Sequence, residues 1–135
     1  MHSGSYDTVS TELDGRRILV VEDEAFIAML IEDVLLNAGA DVVSPAGSVD
    51  QALALIAEAE GHGGLSAAVL DMNLQGTMVT PVADKLAALG VPFVFATAHG
   101  RDCDRHGHLT APMLHKPLDC DALVDAVGGL AFAGG

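Results

Sequence analysis

Ala67-Ala68-Val69-Leu70-Asp71-Met72-Asn73-Leu74 runs four small or apolar residues straight into a carboxylate. A short apolar run of this kind reads as a strand buried on both faces, as in parallel sheets. Asp71 then stands where the strand leaves the core. In open α/β sheets, ligand chemistry collects at those carboxyl ends. A single Asp after a strand is more often a turn cap. The weight given to Asp71 therefore depends on what ends the other strands.

Upstream, Ile18-Leu19-Val20-Val21 is a β-branched apolar run that predicts a first buried strand, ending in Glu22-Asp23-Glu24. Phe26, Ile27, Leu30, Ile31, Val34 and Leu35 recur at helical spacing, and Gly39 suits a helix C-terminus. Asp41-Val42-Val43-Ser44 predicts a short second strand. Ser48 caps a second helix carrying Ala52, Leu53, Leu55 and Ile56, which Gly61-His62-Gly63-Gly64 ends. Downstream of Asp71, Thr80-Pro81 opens a third helix that runs to about Leu89 and is closed by Gly90. Pro92-Phe93-Val94-Phe95-Ala96 predicts a fourth strand ending in Thr97, and Met113-Leu114-His115 a fifth ending in Lys116-Pro117. Asp119 caps a last helix with Leu123, Val124, Val127 and Leu130. Between the last two strands, residues 98–111 are polar and interrupted by Gly100 and Gly107, so any helix there is short. The alternation of strands and helices predicts an α/β fold: one doubly wound parallel sheet, helices on both faces, right-handed crossovers. Residues 1–15 read as a disordered arm, 16–130 as the folded domain and 131–135 as a frayed tail, with no output domain.

Composition narrows the function. The chain has 135 residues, enough for one domain, and half of them are hydrophobic. Its formal charge is −13 with six Lys and Arg, which argues against nucleic acid and anionic membranes as partners. No apolar run approaches membrane-spanning length, and no secretory signal is visible. Cys103 and Cys120 match no metal or redox spacing and suit a reducing cytoplasm as free thiols. His62, His99, His106, His108 and His115 lack paired helical spacing, so surface histidines are expected rather than a metal site.

In a parallel sheet the strand ends share one edge, so Glu22, Asp23, Asp71, Thr97 and Lys116 converge. Clustered carboxylates repel unless a cation is present, and hard oxygen ligands suit Mg²⁺. A lysine supplies a point charge for a phosphoryl group, a threonine a hydroxyl donor. A carboxylate is itself a competent nucleophile, forming an aspartyl-phosphate.

Taken in order, Ile18-Leu19-Val20-Val21-Glu22-Asp23-Glu24, Val69-Leu70-Asp71-Met72-Asn73-Leu74, Phe95-Ala96-Thr97-Ala98 and Lys116-Pro117 resemble the receiver domain of two-component response regulators, over about Arg16 to Leu130. The Phe-Ala-Thr piece resembles a stand-alone, single-domain subgroup. The resemblance implies a flavodoxin-like, three-layer α/β/α fold with strand order 2-1-3-4-5. It implies a signalling phosphoacceptor domain, not an enzyme acting on external substrates. Asp71 would accept a phosphoryl group from a phosphohistidine. Asp23 would bind Mg²⁺ directly, Glu22 through water, and Asn73 through its backbone carbonyl. Thr97 would turn inward to a phosphoryl oxygen, Lys116 would pair with another, and the bond before Pro117 would be cis. His99, two residues after Thr97, would tune phosphate lifetime. The implied partners are a sensor histidine kinase or a histidine phosphotransferase, and a downstream protein target. One departure concerns the switch: Met113 stands where receivers usually carry an aromatic ring, and a flexible thioether makes a weaker latch.

Two other readings stay open at this level. A haloacid-dehalogenase-like Mg²⁺-dependent phosphatase also places Asp, Thr and Lys after successive strands. It needs a second Asp two residues beyond the nucleophile, and that position is Asn73. A degenerate receiver would bind partners without phosphorylation, although all five site positions are chemically competent. The acidic run 22–24 is also compatible with a solvated turn that favours the following helix through its dipole.

Overall fold

The computed structural model describes residues 13–74, 76–97, 112–115 and 119–134. Strand β1 (Arg17–Val21) leads to helix α1 (Ala25–Asn37), β2 (Asp41–Ala46) and α2 (Val49–Glu60). Next come β3 (Ala67–Asp71), two short strands β4 (Asn73–Leu74) and β5 (Thr77–Met78), and α3 (Thr80–Ala88). The chain closes with β6 (Phe93–Thr97), β7 (Met113–His115) and α4 (Cys120–Gly134). The main sheet has the order β2-β1-β3-β6-β7 and every pairing in it is parallel. With the β4–β5 hairpin set aside, this is the expected order 2-1-3-4-5.

Strand alternation builds two cores from one sheet. Leu19, Val21, Ala68, Leu70, Phe93 and Phe95 face α2 and α3, joined by Ile56, Val82 and Leu86. Ile18, Val20, Ala67, Val69 and Val94 face the other way, packing with Ile31, Leu35, Leu123 and Val127 of α1 and α4. Because both faces are covered, β3 and β6 are buried at every position, which is why their sequences are apolar throughout instead of alternating. Phe93 and Phe95 meet edge to face, ring centroids 5.3 Å apart.

The caps follow the sequence closely. Ser48 accepts from the Gln51 N–H at 3.1 Å, and Asp119 accepts from the Asp121 N–H at 2.9 Å. Gly39, at φ 95°, ends α1 as a left-handed residue. Strand β2 runs past Ser44 to Ala46 and includes Pro45. Pro45 is tolerated because β2 is an edge strand. The pairing with β1 slips there, from Leu19–Val43 to Val21–Ala46.

Several expectations need correcting. Leu13 does not belong to a loose arm: it is fully buried, and its N–H donates to the Ala38 carbonyl at 2.8 Å. A lone leucine in a polar segment has no periodicity to reveal it, and its burial comes from contact with the end of α1. At the other terminus α4 continues to Gly134, past the expected limit at 130. Phe26 and Leu30 are not core residues. The inward face of α1 is Ala28, Ile31 and Leu35, while Phe26, Met29 and Leu30 are 71%, 57% and 49% exposed. β3 ends at Asp71, as expected, and beyond it Asn73 and Leu74 turn back to pair with Met78 and Thr77. Residues 98–111, the segment in which a short helix is expected, lie outside the described residues. Among the described residues, no helix is long and apolar enough to cross a membrane.

Candidate functional site

Three strand ends build the site. β1 gives way to Glu22 and Asp23 directly after Val21, and the Glu22 N–H still donates to the Ala46 carbonyl of β2 at 2.8 Å. That bond extends the ladder by one residue and fixes where the acid pair emerges. The Glu22 side chain is 3% exposed, and its Oε2 accepts from the Glu24 N–H at 3.2 Å. The carboxylate thus holds the turn into α1 as well as facing the site. Asp71 ends β3 in register with Ala96, and the next N–H, of Met72, donates to the Ala96 carbonyl at 3.2 Å. Thr97 ends β6, 2% exposed, in register with His115 of β7.

Carboxylate oxygens of Glu22, Asp23 and Asp71 all lie within 4.8 Å of one another. Asp71, at 8% exposure, and Glu22 are both withdrawn from solvent. At an effective dielectric of about 20, two unit negative charges this close repel by roughly 3 kcal/mol. Sequence-adjacent acids on an exposed loop would splay apart to avoid that. Here the sheet holds them together, so the arrangement suits a bound cation. All three donors are hard carboxylate oxygens, which fit Mg²⁺ better than a softer metal.

The structure therefore brings together Glu22, Asp23 and Asp71, with Thr97 one residue beyond Asp71's register partner on the adjoining strand. Asn73 lies two residues past Asp71, at the start of β4. Met113 is partly buried against the α2–α3 core. Lys116, Pro117 and His99 lie outside the described residues. Two features beside the site escape the sequence reading. One is the β4–β5 hairpin; its only sequence signal is Gly76. The other is the exposed apolar face of α1, which starts at Phe26, three residues after Asp23, and was visible only as an excess of apolar positions around the helix.

No protein-family model matches the chain, and no curated protein sequence matches it. Solved structures do. The chain is 38% identical to SdrG from Sphingomonas melonis Fr1, with 88% of this chain and 97% of that one aligned at a TM-score of 0.69. The BeF3-activated conformation of SdrG, from Pseudomonas melonis Fr1, aligns at 40% identity over 85% of this chain and 95% of that one, TM-score 0.70. The response regulator PhyR from Brucella abortus shares the fold at 24% identity and a TM-score of 0.76; 96% of this chain covers 52% of that longer one.

Proposed function

The chain belongs to the receiver-domain family of two-component response regulators, and we propose that it receives a phosphoryl group on Asp71 from a phosphohistidine. The observation that carries this reading is the Glu22–Asp23–Asp71 cluster, held within 4.8 Å at the sheet's carboxyl edge. An Asp71 carboxylate oxygen attacks phosphorus. The new O–P bond forms as the N–P bond breaks, and the imidazole nitrogen leaves with the electron pair and takes up a proton. Glu22, Asp23, Asp71 and the Asn73 carbonyl are the groups that would hold Mg²⁺. The bound ion would offset negative charge on the phosphoryl oxygens. Thr97 donates its hydroxyl to one phosphoryl oxygen, and Lys116 pairs its ammonium with another. Water later attacks the same phosphorus and restores the carboxylate. BeF3 activation, named for SdrG, supports the same chemistry here.

The donor would be a histidine kinase or a histidine phosphotransferase, and output would pass to another protein by binding or by onward phosphotransfer. The first turn of α1 follows directly on the acid pair Glu22–Asp23, so it is the surface we assign to the donor. That turn presents Phe26, and the exposed face continues through Met29, Leu30 and Leu36. α1 carries Glu32 and Asp33 and no basic residue, so the matching donor surface is an apolar helix face rimmed by Lys and Arg. Phe26→Asp is expected to slow transfer from a donor kinase by about tenfold or more, the loss typical of an aromatic anchor. Labelling by acetyl phosphate, which needs no docking surface, should keep its wild-type rate. Equal slowing with both donors would show damage to the site itself.

The phosphatase alternative separates by stoichiometry. Incubated with acetyl phosphate and Mg²⁺, the protein should trap about one phosphoryl group per chain, the limit of a single nucleophile. It should leave an aryl phosphate essentially unturned. Many equivalents of aryl phosphate cleaved per chain would replace the receiver mechanism with a hydrolytic one.

A further inference from the structure

Helix α1 starts without a cap of its own. Its N-cap residue is Glu24, whose side chain makes no capping bond. The start of α2, by contrast, is capped by Ser48, and that of α4 by Asp119. At α1 the acceptor comes from two residues back, where Oε2 of Glu22 takes the Glu24 N–H at 3.2 Å. The Glu24 carbonyl in turn takes the Ala28 N–H at 2.9 Å, the first bond of the helix. Both backbone groups of Glu24 are therefore engaged, one by the helix and one by a carboxylate.

The same carboxylate belongs to the acidic cluster. One of its oxygens lies within 4.8 Å of carboxylate oxygens of Asp23 and Asp71. Glu22 is buried, and its N–H is tied to the Ala46 carbonyl at 2.8 Å, so neither its side chain nor its backbone is loose. A carboxylate has two oxygens and about four acceptor sites, enough to serve a cation and an N–H together. Two residues beyond Glu24 stands the exposed Phe26, on the face assigned to the donor.

We propose that Glu22 is a positioning residue for the donor face: its buried carboxylate transmits occupancy of the acidic cluster to the first turn of α1. The inference rests on the reading that the cluster holds Mg²⁺ and that α1 meets the donor. With no cation bound, Asp23 and Asp71 repel Glu22, and that push competes with its bond to the Glu24 N–H. A bound cation removes the repulsion and holds the carboxylate in place, and the turn that carries Phe26 settles. By linkage, whatever grips that turn also favours the ion.

The test is amide exchange, followed by NMR on the full chain, with Mg²⁺ alone as the ligand and Na⁺ at matched ionic strength as the reference. In wild type, Mg²⁺ should slow exchange of the Glu24 N–H about fivefold, the change in local opening that gain or loss of a helix cap brings. Glu22→Ala removes the acceptor. Its Glu24 N–H should exchange about fivefold faster than in metal-free wild type, and Mg²⁺ should no longer slow it. Glu22→Gln is the conservative variant: its side-chain carbonyl still accepts the N–H, and the repulsion is gone with the charge. It should restore slow exchange at Glu24 without any Mg²⁺. The Gln51 N–H, capped by Ser48 at the start of α2, is the internal control and should respond to neither the ion nor the substitutions. Unchanged Glu24 exchange in a wild-type chain that binds Mg²⁺ by calorimetry would overturn the inference and leave the metal reading standing. So would a loss of Glu24 protection in Glu22→Gln equal to that in Glu22→Ala. A wild-type chain that binds no Mg²⁺ in the calorimeter would remove the metal reading and the inference together.

Discussion

Asp71→Asn is expected to gain no mass from acetyl phosphate and Mg²⁺, where the wild-type chain gains one phosphoryl group. The amide keeps the size and shape of the side chain and the register of β3 with Ala96, so the sheet edge is not disturbed. What it loses is the anionic oxygen that attacks phosphorus. Loss of a nucleophile typically costs several orders of magnitude in rate, about 10⁴ or more, which leaves no measurable labelling on the timescale that saturates wild type. The fold should tolerate the change well, because it removes one of three mutually repelling carboxylates packed within 4.8 Å. Intact-protein mass spectrometry on both chains, with melting curves to show that both are folded, reads the result. Undiminished labelling of Asp71→Asn would move the acceptor to another residue.

The second large effect concerns the ion. Mg²⁺ should raise the melting temperature of wild type, since a ligand bound only by the native state stabilises it by mass action. At tenfold excess over its dissociation constant the gain is about 1.4 kcal/mol, or about 5 °C for a domain of this size. Asp23→Asn should shift both ends of the comparison. Without metal it should melt slightly higher than wild type, because the charge repulsion is relieved. With metal it should respond far less, because a ligand is gone. Scanning fluorimetry at matched ionic strength, with Mg²⁺ against Na⁺, separates specific binding from screening. A wild-type melting temperature that ignores Mg²⁺ would show that the three carboxylates are clustered for some other reason.

The central strands and the acid cluster were legible because their signals are local and categorical. Ile18–Val21 and Ala67–Leu70 are apolar without a break and then turn acidic in one step. A parallel sheet does the rest by bringing the strand ends to one edge, so Glu22, Asp23 and Asp71 needed no long-range information to be grouped. The inward face of α1 was not legible in that way. Phe26, Met29, Leu30 and Leu36 compete with Ile31 and Leu35 for the core, and a helix that is apolar nearly all round has no preferred face until the sheet chooses one. The hairpin failed for a different reason. Strands of two residues are too short for any alternation to show, and Gly76 reads equally well as a plain break. Leu13 failed because its partner, the end of α1 at Ala38, is far along the chain.

Pro45 has a consequence for how this protein behaves in concentrated solution. An unblocked outer strand invites a neighbouring molecule to extend the sheet, the first step toward insoluble polymer. β2 is such an outer strand, yet it contains a residue with no N–H to offer and a one-residue slip in its ladder. A docking strand would find neither the full set of donors nor a straight template. The formal charge of −13 adds repulsion between copies. Sheet extension through β2 is thereby discouraged, and a molecule that exposes Phe26, Met29 and Leu30 on α1 is protected at this edge from being captured by its own kind.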